Sequence, residues 1–279
     1  MTTTSPSGPA RTIADRPAYV SLSSPEELRA SQAPLGSGPA PSDPKARRAM
    51  PLMRKVEIAC LDPRAQVQEA GRLVPAVPAF EEAFSAFARG TLFMTDRGLV
   101  AVEDLWPGAK VRVADGSLRT LLWRGSTMVV PEGQGQDPVM TRLTRIAAEG
   151  LGFSRPMHDL VLGPWARLVQ RRPGVRALTG REAAAVPASD FADGVTIVRL
   201  SPAAPVPVFH LGFERHERLI ANGIEVESYH PGPLHAFPLR GDLLELFLSC
   251  FPHLSGLSGF GEPGLPRLAL RDLDLFDAA

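Results

Sequence analysis

The stretch from Ala86 to Gly108, AFARGTLFMTDRGLVAVEDLWPG, constrains the fold more than any other part of the chain. Two short apolar runs, Thr91 to Thr95 and Leu99 to Glu103, flank Asp96-Arg97-Gly98, where glycine can take the positive φ a tight hairpin needs. Pro107-Gly108 then breaks the chain before the next apolar run. A strand, a turn and a strand are expected, and a β-meander continues through Lys110 to Val113 and Leu118 to Gly125. Further strands are expected at Val139 to Ala147, Leu160 to Leu162, Ala166 to Gln170, Val195 to Leu200 and Val206 to Phe213. The clearest hairpin is Glu217 to Tyr229, ERLIANGIEVESY, in which Asn222-Gly223 joins two apolar runs as a two-residue type I′ turn. With 28 Pro and 25 Gly in 279 residues, few long helices are expected.

Four segments follow from this reading. Residues 1–55 form a Pro- and Ser-rich arm of the composition that stays disordered. It ends in a basic cluster, Lys45, Arg47, Arg48, Arg54 and Lys55, whose charges are expected to be solvated. Residues 56–85 lead in to the strands. Val56, Ile58 and Leu61 suggest an edge strand, and Phe80, Phe84 and Phe87, at i, i+4 and i+7, a short helix with its rings on one core-facing side. A β domain spans 86–232, within which the alanine-rich Leu178 to Ala185 is expected to be helical. Residues 233–279 supply a C-terminal helix, Gly241 to Phe251, and a Gly- and Pro-rich tail.

Charge and composition exclude several functions. Lys plus Arg equals Asp plus Glu at 30 each, so no global field favours a nucleic acid. No window of eighteen apolar residues supports a membrane span. The N-terminus lacks a basic patch followed by an apolar core, so a cytoplasmic location is expected. The alternative is type I export through the end Asp272 to Ala279, without calcium-binding G-G-x-G-x-D repeats. Cys60 and Cys250 are too far apart for a disulfide framework or a C-x-x-C metal site and read as two separate buried thiols. No cofactor or metal is expected; a protein partner of unknown identity is left open, and nothing sets the oligomeric state.

Three segments, taken in order, resemble the Hedgehog/intein (Hint) domain family, in its bacterial Hint_2-like branch. Ala86-Phe87-Ala88-Arg89-Gly90-Thr91, with Val102-Glu103-Asp104-Leu105 and Pro107-Gly108, is similar to the family's opening Cys-Phe-x-x-Gly-Thr block. Leu160-Val161-Leu162-Gly163-Pro164-Trp165-Ala166-Arg167 resembles a segment of the form L-x-x-Ser/Thr-Pro-x-His-Arg. His210 and His216, then Ala221-Asn222-Gly223 and Glu227-Ser228, resemble the third. The resemblance implies a mostly β, pseudo-symmetric Hint-like fold, with a short C-terminal helical appendage in this chain.

It also implies a chemistry. In the family the opening Cys attacks the preceding carbonyl and turns an amide into a thioester, which needs a thiolate. A Ser/Thr and a His assist by polarising the amide and protonating the leaving nitrogen. This chain has Ala86, Gly163 and Ala166 at those places, and none can attack or transfer a proton. Trp165 between them is expected to fill former active-site space. Ser85 carries a hydroxyl beside the junction, but as a surface serine without a base it is a poor nucleophile. His210 and His216 would share a face if their strand is unbroken, as structural imidazoles in preference to a metal pair. Asn222 is read as a turn residue in preference to a cyclising asparagine. The reading is an inactive Hint-domain protein retained as a binding or scaffold module. Residual self-processing at Ser85-Ala86 or beside Asn222 is the first alternative, and a type I secreted effector the second.

Overall fold

The computed structural model describes residues 52–277. Most of the expected arm, including Lys45, Arg47 and Arg48, lies outside them. The described residues begin with a hairpin of β1 (Met53–Leu61) and β2 (Val67–Pro75), followed by α1 (Pro78–Phe84). The strands β3 (Phe87–Ala88), β4 (Leu92–Thr95), β5 (Gly98–Ala101), β6 (Lys110–Arg112), β7 (Leu118–Thr120) and β8 (Trp123–Val129) come next. Then follow β9 (Leu143–Ile146), β10 (Leu160–Leu162), β11 (Arg167–Gln170), α2 (Pro173–Thr179) and β12 (Ala184–Pro187). The chain closes with β13 (Ile197–Leu200), β14 (Val206–Gly212), β15 (Arg218–Ala221), β16 (Ile224–Glu227), α3 (Gly241–Ser249) and α4 (Leu270–Asp277).

The protein is mostly β, as expected, and its strands form two antiparallel sheets. One has the order β13-β9-β10-β3-β14-β8-β1-β2; the other runs β12-β11-β16-β15-β4-β6-β7, with β5 paired to β4. The turns explain much of the register. Thr95 pairs with Gly98 across Asp96-Arg97, and Gly98 has φ of +103°. Asn222 and Gly223 both have positive φ, +47° and +87°, the geometry of a type I′ turn between β15 and β16.

Two clusters account for most of the core. One gathers Phe87 and Phe93 with Leu105, Leu121, Ile146, Leu160, Leu162, Leu211, Leu219 and Val226, drawn from both sheets. The other joins the lead-in residues Val56, Ile58, Phe80 and Phe84 to Trp123, Tyr229, Phe247 and Phe251. Trp123 stacks on Phe251 at 4.7 Å and its indole N–H donates to the Cys250 carbonyl at 2.8 Å. Burying each such ring stabilises by roughly 1.5–3 kcal/mol, so α3 is bound by packing to the segment that precedes β3. Both thiols are buried and free in this second cluster.

Several expectations change. β1 is an interior strand between β2 and β8, because it supplies partners on both sides; β2 is the edge. It also begins at Met53, which brings Arg54 and Lys55 out of the arm, and Arg54 is a buried partner of Glu81 at 2.5 Å instead of a solvated charge. Phe87 leaves the helical stripe, since α1 ends at Phe84 and Phe87 enters β3. The meander is interrupted: β6 and β7 lie in one sheet and β8 in the other. Residues 138–141 form a 3-10 turn capped by Asp137, so the strand there starts only at Leu143. The helix near Leu178 stops at Gly180, in the left-handed region at φ of +68°, and Ala184 to Pro187 is strand.

Candidate functional site

The first and second resemblance segments meet in space. Phe87 of β3 pairs with Leu162 of β10 on one side and Phe209 of β14 on the other. That places the Ser85-Ala86 peptide against the turn after β10. The Ala86 N–H donates to the Phe209 carbonyl at 3.0 Å, and the Ser85 carbonyl accepts from the Trp165 N–H at 3.0 Å. The Ala86 carbonyl accepts from the Gly163 N–H at 2.7 Å. Both polar groups of the peptide before Ala86 are therefore satisfied by backbone, as buried amides require.

Gly163 lies so close to this peptide that a side chain has no place. A Cβ added there would collide with the Ser85 carbonyl oxygen and stand 2.8 Å from the Ser85 carbonyl carbon. Ala86 and Ala166 are 1% and 2% exposed and join the main core. Ser85 is fully buried, not on the surface; its hydroxyl donates to the Glu81 carbonyl at 2.5 Å and sits 3.7 Å from Met140 Sδ. It closes the last turn of α1. The Trp165 indole N–H is buried without a partner among the described residues, and Pro164 precedes it on the same turn. Glu103 accepts from the Gly90 N–H at 2.8 Å and pairs with Arg89. Burial raises its pKa, but these contacts outweigh that and hold it below the usual range. Thr91 donates its hydroxyl to the Ala88 carbonyl at 2.7 Å. Pro107 and Gly108 turn the chain into β6, the Gly108 N–H donating to the Leu121 carbonyl at 2.8 Å.

The third segment splits. β14 ends at Gly212, so His210 and His216 do not share one strand face. His210 is buried with its ring against Phe87 and Tyr229, each at 5.3 Å. Burial pushes its pKa down to about 3, which leaves it neutral near pH 7. Asn222 is a brace: its Oδ1 accepts from the Leu92 N–H at 2.7 Å and its amide donates to the Asp159 carbonyl at 3.4 Å. Among the described residues, no hydrogen bond or ring contact joins His216 or Asn222 to Ser85 or Ala86.

His216 belongs to a separate buried ionic cluster. Its Nδ1 accepts from the Gly264 N–H, its Nε2 lies 3.2 Å from Glu227 Oε2, and its ring stacks on His230 at 5.0 Å. Arg167 reaches Glu227 at 2.8 Å and Glu82 at 2.7 Å, and Arg267 reaches Glu82 at 2.6 Å. Burial alone would raise the Glu227 pKa; Arg267 and Arg167, then His216, hold it well below the carboxylate range. Ser228 supports the neighbouring backbone by accepting from the Glu217 N–H at 2.8 Å. Glu82 and Arg267 escaped the sequence reading because they lie in the lead-in and the tail, far from the motif residues they bind. No group of three or more His, Cys, Asp or Glu among the described residues is placed to hold a metal.

These positions can be set beside known proteins. No curated protein matches the chain. Among solved structures it is similar to a bacterial intein-like domain from Clostridium thermocellum, at 16% identity over 52% of this chain and 99% of that one, with a TM-score of 0.33. A family model described as Hint domain, Hint_2, matches residues 85–233, from the residue before Ala86 to the one after Gly232. Since that match takes in more than half of the sequence and all three motif segments, the chain belongs to the Hint domain family.

Proposed function

We propose that this Hint domain has lost the self-cleaving step and serves as a binding or scaffold module. The observation that carries the reading is the Ser85-Ala86 junction. A Hint reaction there needs a sulfur at Ala86 to attack the Ser85 carbonyl, and a hydroxyl and an imidazole on the turn at Gly163 and Ala166. The Trp165 N–H still donates to the Ser85 carbonyl, which would polarise it, but among the described residues no side chain hydrogen-bonded there can attack it or deliver a proton. The Ser85 hydroxyl is engaged by the Glu81 carbonyl and has no base, and His210 is neutral and packed between aromatic rings. A β fold whose core is intact still offers surface and shape for binding.

Intact-mass spectrometry of the purified chain tests this. A single species near 29.9 kDa, unchanged by dithiothreitol or hydroxylamine, is the expected result. Fragments that end at Ser85 or begin at Ala86 would refute the proposal, as would a break beside Asn222.

A further inference from the structure

We infer that a surface pocket next to the Ser85-Ala86 junction binds a carboxylate through Arg142, Arg199 and Thr144. The pocket has a volume of about 280 Å³ and is lined by Pro138, Val139, Arg142, Thr144, Pro164, Ser189 and Arg199. Pro164 links it to the junction, because its neighbours Gly163 and Trp165 hold the Ala86 and Ser85 carbonyls.

Its polar groups are nearly all donors. Thr144 of β9 and Arg199 of β13 are direct cross-strand partners, so their side chains emerge on one face. The Arg199 guanidinium is oriented by the Ser189 carbonyl, which accepts from its Nε at 3.1 Å and one Nη at 2.7 Å. Its remaining N–H groups stay available. Arg142 has no ion pair or side-chain hydrogen bond among the described residues, and the Thr144 hydroxyl has none. Neither acidic neighbour of the lining in sequence forms an ion pair with Arg142 or Arg199 among the described residues: Asp137 accepts from the Val139 N–H at 2.9 Å and Asp190 from the Leu270 N–H at 3.2 Å. Arg145, one pair along the same two strands and on the opposite face, is by contrast closed off by Asp159.

Two guanidinium groups without an ion pair among the described residues and a hydroxyl, facing a wall of Pro138, Val139 and Pro164, select an anion that also carries a short apolar part. A carboxylate attached to a small aliphatic group meets both demands, either as a free acid or as the C-terminus of a peptide. A phosphate would leave the apolar wall unfilled. The inference names a ligand class for the binding module proposed above and rests on that reading.

The test titrates the purified full chain with sodium propionate, with acetyl-Ala-Ala-Ala, with the same peptide as its C-terminal amide, and with sodium phosphate. Binding is read by calorimetry and by amide chemical shifts at Thr144 and Ser189. Saturable binding of propionate or the free-acid peptide is expected, with the amide silent; which of the two binds tighter identifies the source of the carboxylate. Losing one charged donor removes a charge-assisted hydrogen bond, so Arg142→Ala should weaken binding at least about tenfold. Arg145→Ala should leave it unchanged. No saturable response to either carboxylate, tighter binding of phosphate, or undiminished binding by Arg142→Ala would overturn the inference. A chain that cleaves itself yet binds carboxylate refutes the proposed loss of processing alone; an intact chain that ignores carboxylates refutes the pocket alone.

Discussion

The Trp165 N–H donates to the Ser85 carbonyl at 3.0 Å, so the peptide before Ala86 is held by the same turn that carries Gly163. Reinstalling a nucleophile therefore does not reinstate a site. Ala86→Cys should fold, since a thiol is a modest addition, and give one intact mass with hydroxylamine present. Adding Gly163→Ser drives a Cβ into the Ser85 carbonyl and should cost roughly 1–3 kcal/mol, read as a lower urea midpoint. Adding Ala166→His to both should still give no fragments. Cleavage by any of these variants would show that the junction can reopen.

Asn222 sits at φ of +47° with its side chain tied to Leu92 and Asp159. Asn222→Ala should lose a buried hydrogen bond and strain the backbone, a cost of about 2 kcal/mol. Asn222→Gly loses the same bond but tolerates the φ, so it should be the milder of the two in urea denaturation. A larger loss for Gly than for Ala would contradict this account. With both side-chain ends engaged, deamidation at Asn222-Gly223 should be slower in the folded chain than in urea, measured by peptide mapping.

The hairpin at Asn222-Gly223 was legible because its signal is local: two residues that accept positive φ between two apolar runs. The three motif segments were legible for the same reason. What lay beyond reach depends on partners far away in the chain. The i, i+4, i+7 spacing of Phe80, Phe84 and Phe87 cannot say that the helix ends at Phe84, which is decided by pairing of Phe87 with Leu162 and Phe209. Nor does the apolar pattern of β1 tell an edge from an interior strand, a choice made by β8. Gly163 could be read as a missing hydroxyl, but its closeness to the Ser85 carbonyl is visible only in three dimensions. Arg54 reads in sequence as a solvated charge, and no motif marks Glu82 or Arg267; the ion pairs of all three exist only in three dimensions.

His210 predicts an acid-sensitive fold. Its folded pKa is about 3, below the unfolded value of about 6.5, so the unfolded chain binds the extra proton. The stability it contributes is present above about pH 6.5 and is lost as pH falls toward 3. His230 and His253, both pushed to about 4 with burial the main cause, add to the same window. Glu227, depressed below the carboxylate range, adds a loss only at lower pH. Replacing His210 by Phe removes one of these protons and should flatten the dependence of unfolding free energy on pH between 6 and 4 by about 1.4 kcal/mol per pH unit. Urea denaturation across that range measures it, and an unchanged slope would refute the assignment.

Arg267 ties the C-terminal segment to the domain in three ways. It reaches Glu82 at 2.6 Å, and it donates to the His230 carbonyl at 2.5 Å. Its backbone lies beside β12, where the Ala185 N–H donates to the Pro266 carbonyl at 2.8 Å and the Leu268 N–H to the Ala185 carbonyl at 3.1 Å. Leu265 and Leu273 then bury their side chains among Val169, Ala183 and Ala185 and among Val175, Ala184 and Val186. Arg267→Met keeps the aliphatic length but leaves Glu82 and Glu227 to share Arg167. Because the Arg267 side chain is 24% exposed, water and salt soften the loss below the 3–5 kcal/mol of a fully buried pair, to roughly 1–3 kcal/mol. Hydrogen exchange should speed up first at Ala185 and Leu268, while amides in β8 and β14 keep their protection. Arg271→Ala, which removes an exposed guanidinium of the same segment, should change neither. If Arg267→Met exchanges like the parent at Ala185, the apolar contacts of Leu265 and Leu273 hold the segment and the ion pairs do not.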